Sequence, residues 1–294
     1  MPIQLTNDNY YSEQANIDYM SVSQFKDFAG TLGHEPCEET ALLKYKGIIQ
    51  QTQSTALLVG SYVDSYFEGT LDQFKAEHPE ILAKTGKTAG QPKAEFKQAD
   101  EIIERIMRDT LFSGFMSGQK QVIMTGNYLG IDWKIKMDSY FPGNKIVDLK
   151  VMKDMKTIWS DRRHEYMDFI RFWGYDIQGA VYQKIVEIVT GKKLPFFIAC
   201  ATKENITDIQ IIEITQPYLD EALKFVEDNI QHVLDLKNDV STPIACNKCP
   251  YCKSHKHLVA PISIEDIIPK KFISMDEDTA DDAAENDLDA MFNS

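Results

Sequence analysis

The sequence predicts an α/β sandwich in which a central mixed β-sheet is flanked by helices, preceded by further amino-terminal helices. Three observations predict it. Beyond the first helices the elements read in the order α-β-β-β-α-β-β, the pattern of a layered sheet-and-helix domain. The strand-like runs gather in the middle of the chain instead of alternating singly with helices, which argues against a doubly wound nucleotide-binding fold. No Gly-rich loop of the P-loop or dinucleotide type is present.

Residues 1–19 are polar and read as an extended arm. Ser21-Val22-Ser23-Gln24 has the Ser-x-x-Gln form of a capping box and starts a helix through Phe25 and Phe28. Residues 38–50 and 54–68 read as two more helices. The second is nearly apolar apart from Asp64 and Glu68, so it is expected to be buried and Asp64 to need a partner there. Residues 80–98 read as a surface loop carrying Lys84, Lys87, Lys93 and Lys97, open to solvent or to a phosphate. A helix is expected from Gln98 to Phe112. A meander of three strands follows at 121–125, 129–140 and 145–151, turning at Gly126-Asn127 and at Pro142-Gly143-Asn144. The next helix runs from Gly174 to Thr190 and stops at Gly191. Strands at 194–201 and 209–214 and an amphipathic helix over 217–237 complete the pattern.

A chain of 294 residues with 43% hydrophobic and 26% charged residues is ordinary for a soluble globular protein. No apolar run approaches the roughly 20 residues of a membrane span, and the first residues have neither a basic nor an apolar stretch of secretory type; the expected location is the cytoplasm. The net charge of −14 weighs against nucleic acid as a partner. Residues 276–294, however, hold eight acids and no Lys or Arg, and removing them leaves −6 for the rest. Overall charge is therefore weak evidence against DNA.

In Ile146-Val147-Asp148-Leu149-Lys150-Val151, strand alternation puts Asp148 and Lys150 on one face and Val147, Leu149 and Val151 on the other. Asp138 closes the preceding strand across a short turn, within reach of Asp148. Two carboxylates and a lysine suit metal-assisted phosphodiester hydrolysis. The carboxylates offer hard oxygen ligands to Mg²⁺ or Mn²⁺, and the lysine can position or deprotonate a water and stabilise charge. A surface salt bridge on a half-exposed strand would look the same. Gln178 and Tyr182, four residues apart on a helix, share a face.

Cys246-Asn-Lys-Cys249-Pro-Tyr-Cys252 places three thiols within seven residues, a spacing that turns them toward one soft metal centre. The fourth ligand is open on spacing alone: His255 or His257 would complete a Zn²⁺ site. Cys200 lies in an apolar strand and reads as a core residue.

Asp138…Asp148-Leu149-Lys150 resembles the PD-(D/E)xK nuclease superfamily. Flanking features narrow the resemblance to its RecB-like branch, near phage exonucleases of the RecE (exodeoxyribonuclease VIII) type. Gly60-Ser-Tyr-Val-Asp64 stands where that branch has a Gly-x-x-x-His helix, Gln178-Gly-Ala-Val-Tyr182 is similar to its Gln-x-x-x-Tyr helix, and Ser21 to Phe25 followed by Cys37 resembles its amino-terminal segment. Together these span roughly residues 20–255. The chain departs from the pattern at Asp64, in place of histidine, at Met137, in place of proline, and in the tight C-x2-C-x2-C spacing of the late cysteines.

The resemblance implies a restriction-endonuclease-like core over residues 20–260 and a Mg²⁺-dependent DNA exonuclease that resects duplex ends for phage-type recombination, digesting 5′ to 3′ and leaving a 3′ single strand. Asp64, Asp138, Asp148 and the backbone carbonyl of Leu149 would hold the metal, Lys150 would orient water, Gln178 would bond within the active site, and Tyr182 would contact DNA or support packing. It also implies that Cys37 joins Cys246, Cys249 and Cys252 around a four-iron four-sulfur cluster, with Zn²⁺ as the alternative, stapling the carboxy-terminal segment to the amino-terminal helices. A homo-oligomer in a bacterial host cell is implied as well. Residues 261–294 read as a linker and an acidic disordered tail; Met291 and Phe292 within it suit docking to a single-strand annealing protein of the RecT type. A repair or CRISPR-associated nuclease with the same centre, or a non-catalytic iron–sulfur DNA-binding scaffold, would share these features.

Overall fold

Residues 2–49 and 54–267 are described by the computed structural model of the chain, which divides into two units, Met1–Cys249 and Pro250–Ser294. The first unit opens with helices α1 (Glu13–Asp18), α2 (Val22–Ala29), α3 (Glu38–Tyr45), α4 (Thr55–Glu68), α5 (Leu71–Glu77), α6 (Ala94–Met107) and α7 (Thr110–Phe115). Strands β1 (Val122–Tyr128), β2 (Ile131–Met137), β3 (Ser139–Phe141) and β4 (Lys145–Met152) follow, then a small hairpin of β5 (Ile158–Ser160) and β6 (Glu165–Met167). Helices α8 (Phe169–Trp173) and α9 (Tyr175–Thr190), strands β7 (Phe196–Thr202) and β8 (Ile209–Ile214), and the long α10 (Gln216–Lys237) complete it.

The main sheet has the order β3-β4-β7-β8. Its centre, β4 with β7, is parallel, and both outer pairings are antiparallel. The sheet is therefore mixed, as expected. A parallel pair needs a long crossover, and α9 lies in the connection between β4 and β7. Alternation along β4 divides the core in two. Ile146 and Met152 join one cluster with residues of α2, α9 and α10, while Val147 and Leu149 join a second with residues of α4 and α6. Helices thus cover both faces of the sheet, and the buried centre of β4 lies between them.

Local chemistry explains most boundaries. The Ser21 hydroxyl caps α2 by accepting from Gln24 N, while the Gln24 side chain donates to Asn16 O and so does not complete the reciprocal box. Ser54 caps α4, and Gly69 ends it in the left-handed region at φ 80°. Gly191 stops α9 at φ 71°.

Three readings need correction. The first nineteen residues are not extended throughout: Ser12 caps the six-residue helix α1. The 80–98 loop is shorter than expected, because α6 begins at Ala94 and breaks at Arg108 before α7. The strand expected over 129–140 is split at Asp138. Its first part pairs with β1 in a separate two-stranded sheet and its second part joins the main sheet.

The second unit contains α11 (Pro250–Ser254) and a 3-10 turn at Ile264–Asp266 that Ser263 and Asp266 cap reciprocally. The acidic stretch 276–294 lies outside the described residues. Among the described residues no helix is long and apolar enough to cross a membrane.

Candidate active site

Asp138 occupies the single residue between β2 and β3, where the chain leaves one sheet for the other. Its side chain turns toward β4, and its Oδ2 accepts from the backbone N–H of Leu149 at 2.8 Å. The next pleat of β4 carries Asp148, only 2% exposed. Asp148 Oδ1 accepts from Gln178 Nε2 at 2.6 Å, and Oδ2 lies 2.5 Å from Lys150 Nζ. Oδ2 is buried and, beyond this ion pair, has no hydrogen bond among the described residues. Asp148 and Lys150 meet because strand alternation puts both on one face.

Gln178 reaches Asp148 because α9 lies very close to the sheet. At Gly179 an added Cβ would stand 2.6 Å from Phe196 Cδ1 and 2.9 Å from Leu219 Cδ2, so only glycine allows the approach. One turn on, the Tyr182 hydroxyl donates to the carbonyl of Lys136 at 3.1 Å. Tyr182 is 8% exposed and its ring packs edge-on to Phe196. It braces the backbone of β2 two residues before Asp138.

Asp64 faces the same centre from α4. Burial first, and then the charge of Asp138, hold its carboxyl well above the usual carboxylate range. Asp138 is raised to about 7 by burial and by the neighbouring Asp148, against the opposing pull of Lys150 and of the Leu149 N–H. Burial pulls the Lys150 ammonium down, but Asp148 and Asp138 outweigh it and leave the group above its ordinary range. The site crowds three carboxyl groups around the Lys150 ammonium, and burial disfavours the charges of two of them. Among the described residues its carboxylates do not gather as tightly as the cysteines described below.

These groups line one cleft of about 940 Å³, together with Gln178, Tyr182 and residues that sequence reasoning missed: Glu68, Gln121, Lys26, Lys136, Tyr10 and Tyr11. Glu68 stands one helical turn beyond Asp64, an i,i+4 relation that was legible. Lys134 and Lys136 alternate with Asp138 along β2 and its end, the same period that revealed Asp148 and Lys150. Lys26 Nζ donates to Trp173 O at 3.0 Å, and burial lowers its pKa to about 8. Tyr10 and Tyr11 carry no periodic signal.

The thiols form a second feature. The Sγ atoms of Cys37, Cys246 and Cys249 lie within 4.8 Å of one another. Cys37 stands at the start of α3, with its Sγ 3.8 Å from that of Cys249 and 3.1 Å from Thr40 Oγ1. Cys246 Sγ accepts from the N–H groups of Lys248 and Cys249 at 3.4 and 3.2 Å. Asn247, at φ 57°, makes the tight turn that allows this. The cluster among the described residues includes Cys37 and no histidine. In the second unit Cys252 is on α11 and His255 follows that helix, its Nδ1 3.0 Å from both Tyr251 O and Ser254 Oγ. Cys200 is fully buried in the core, where burial pushes its thiol up to about 12.

A four-stranded mixed sheet with Asp138, Asp148 and Lys150 at its β3–β4 edge defines a class. The chain belongs to the PDDEXK-like family described as a domain of unknown function (DUF3799), whose model matches residues 21–255. It is similar to a protein from Eubacterium rectale, named "Putative exonuclease", whose crystal structure has 56% sequence identity and a TM-score of 0.84 and covers 90% of this chain and 98% of that one. The crystal structure of SSO0001 covers 76% of this chain and 97% of its own at 15% identity, with a TM-score of 0.29, too low to bear on the fold. Among curated proteins none matches.

Proposed function

We propose that this chain is a divalent-metal-dependent DNA exonuclease whose catalytic centre is Asp64, Asp138, Asp148 and Lys150. One observation carries the reading: Asp138 and Asp148 from adjoining antiparallel strands, beside Lys150 and Gln178 in a cleft. Membership of the PDDEXK-like family and likeness to a protein named as an exonuclease support a nuclease.

The residues fit Mg²⁺ or Mn²⁺. They offer hard oxygen donors, one buried carboxylate oxygen of Asp148 has no hydrogen bond, and the charges of Asp64 and Asp138 are disfavoured by burial. Asp64, Asp138, Asp148 and the carbonyl of Leu149 would hold the ion, and when bound it would acidify a water and offset charge developing on the phosphate.

The rest of the chemistry falls to the chain itself. In the metal-free chain Asp148 and Asp138 hold the Lys150 ammonium above its ordinary range. Its role is to orient the attacking water and stabilise charge on the phosphate. Gln178 fixes the rotamer of Asp148 through Oδ1. Tyr182 supports β2, a packing role in preference to direct DNA contact, since its hydroxyl is already engaged by Lys136 O. Asp64 supplies a charged oxygen where the resembling enzymes have a neutral nitrogen, which shifts preference toward harder metals.

On this reading the nuclease domain spans residues 20–260. It works in the cytoplasm of a bacterial cell on duplex DNA ends, digesting 5′ to 3′ to leave a 3′ single strand for phage-type recombination, as a homo-oligomer. The acidic tail, residues 276–294, serves a single-strand annealing partner of the RecT type. Cys252 follows Cys249 by three residues, so the chain tethers a fourth thiol to Cys37, Cys246 and Cys249 for a four-iron four-sulfur cluster, with Zn²⁺ the alternative occupant. Charge-transfer absorption near 400 nm in anaerobically purified protein supports the cluster; a colourless protein with stoichiometric zinc rules it out.

The function is tested by digestion of blunt, overhanging and single-stranded DNA, labelled at either end, with Mg²⁺ and with wild type or Lys150→Ala. Mg²⁺-dependent loss of the 5′ label first, abolished in Lys150→Ala, is the expected result. Cleavage restricted to another structure or polarity would reassign the substrate, and cleavage that survives Lys150→Ala would refute the centre.

A further inference from the structure

Resting on the nuclease reading, we propose that Tyr11 is a stacking platform for the nucleobase next to the scissile phosphodiester, and that Lys136 holds that nucleotide's phosphate.

The arm that carries Tyr11 is built into the cleft wall. Lys134, 1% exposed on β2, donates from Nζ to Tyr10 O at 2.6 Å and to Asn16 Oδ1 at 2.8 Å. Met20 pairs with the same strand, donating to Asp132 O and accepting from Lys134 N. Farther back, Ile3 N donates to Asp18 Oδ2 and Tyr19 OH to Ile3 O, both at 2.9 Å. A buried lysine is costly unless its ammonium is satisfied, so Lys134 holds the arm through bonds that are hard to give up.

Within this fixed arm the two tyrosines do opposite things. Tyr10 is 5% exposed and packs over Lys134, whose Nζ is 4.8 Å from its ring centre. Tyr11 is 73% exposed, set edge-on against Tyr10 at 5.0 Å. Its free surface opens into the cleft that also holds Asp64, Asp138 and Asp148. Lys136, two residues before Asp138, lines the same cleft with its Nζ 4.9 Å from the Tyr11 ring centre.

Tyr10 and Lys136 touch only part of the Tyr11 ring, and the rest of its surface is open beside the carboxylates. A base has a π-face whatever its identity, and stacking on an aromatic side chain serves a nuclease without sequence preference. A lysine beside the ring supplies the phosphate contact that sets register. Tyr11 and Lys136 therefore offer a base and its phosphate a paired contact in the cleft that holds the carboxylates.

The test uses the full chain and a duplex with 2-aminopurine as its terminal base, and the same duplex with that base absent. Without divalent metal, wild type is expected to quench 2-aminopurine on binding, Tyr11→Phe to keep the quench, and Tyr11→Ala to lose it. With Mg²⁺, Tyr11→Ala is expected to raise KM about ten-fold or more, the scale of one lost stack. Removing the base should raise KM for wild type by a similar factor and leave Tyr11→Ala indifferent. Lys136→Gln should raise KM and flatten its salt dependence while keeping the quench. Equal KM and quenching for wild type and Tyr11→Ala overturn the proposal. Absence of Mg²⁺-dependent cleavage by wild type overturns the nuclease reading instead, a result visible before any variant is compared.

Discussion

Asp176 makes the folded protein lose stability as pH rises, and Asp176→Asn should remove that loss. The side chain is 1% exposed in the first turn of α9, and its Oδ1 has no hydrogen bond among the described residues. Burial is the main cause of a pKa raised from 3.8 to about 7; Asp168 adds to it, while the Ile177 N–H and Lys26 oppose it. The folded state therefore holds this proton more tightly than the unfolded chain does. The resulting stabilisation is complete below about pH 3.8, falls steadily from there to about pH 7, and is gone above it. Three pH units at about 1.4 kcal/mol each give about 4 kcal/mol at most. Asparagine keeps the shape and cannot ionise. Relative to wild type the variant should be nearly unchanged at pH 3.5, about 2 kcal/mol more stable at pH 5.5 and up to about 4 kcal/mol more stable at pH 8. Urea unfolding at the three pH values measures this directly. A difference that is constant with pH, or a variant less stable at pH 8, would refute the reasoning.

Gln178→Leu removes a charge-assisted bond worth about 1.5–3 kcal/mol from Asp148; initial-rate assays should show kcat lower by about ten- to a hundred-fold with KM little changed. Gly179→Ala drives a methyl into Phe196 and Leu219, and thermal unfolding should show a loss of about 1–3 kcal/mol. Lys134→Met leaves Tyr10 O and Asn16 Oδ1 without their donor; brief proteolysis should cut within residues 7–16 of the variant while wild type stays intact there.

Where the sequence speaks in short periods, the structure agrees with it. Asp148 and Lys150 share a face because a strand alternates, and Asp138 lies near them because a short turn joins antiparallel strands. Lys136 follows from the same alternation and Glu68 from the helical turn after Asp64, so both could have been read from local pattern. Tyr11 could not. Its position depends on Lys134 bonding to Tyr10 O across 124 residues, and a polar arm offers no periodicity to reveal it. The hairpin of β5 and β6 was likewise invisible, because each strand has three residues and most of its side chains are polar or exposed. The split at Asp138 was legible: apolar residues hold the odd positions from Leu129 to Met137, and Asp138-Ser139 then breaks the alternation before Tyr140. Cys37 meets Cys246 and Cys249 through a long-range contact that the resemblance implied and spacing alone left open.

The central claim is that Asp138, Asp148 and Lys150 form a metal-dependent hydrolytic centre. The most direct measurement is release of nucleotides from end-labelled duplex DNA across a Mg²⁺ titration, for wild type and for Asp148→Ala of verified fold. The account predicts saturable Mg²⁺-dependent release by wild type and a loss on the order of a thousand-fold in the variant. Release that needs no divalent metal, or that persists in Asp148→Ala, would contradict it.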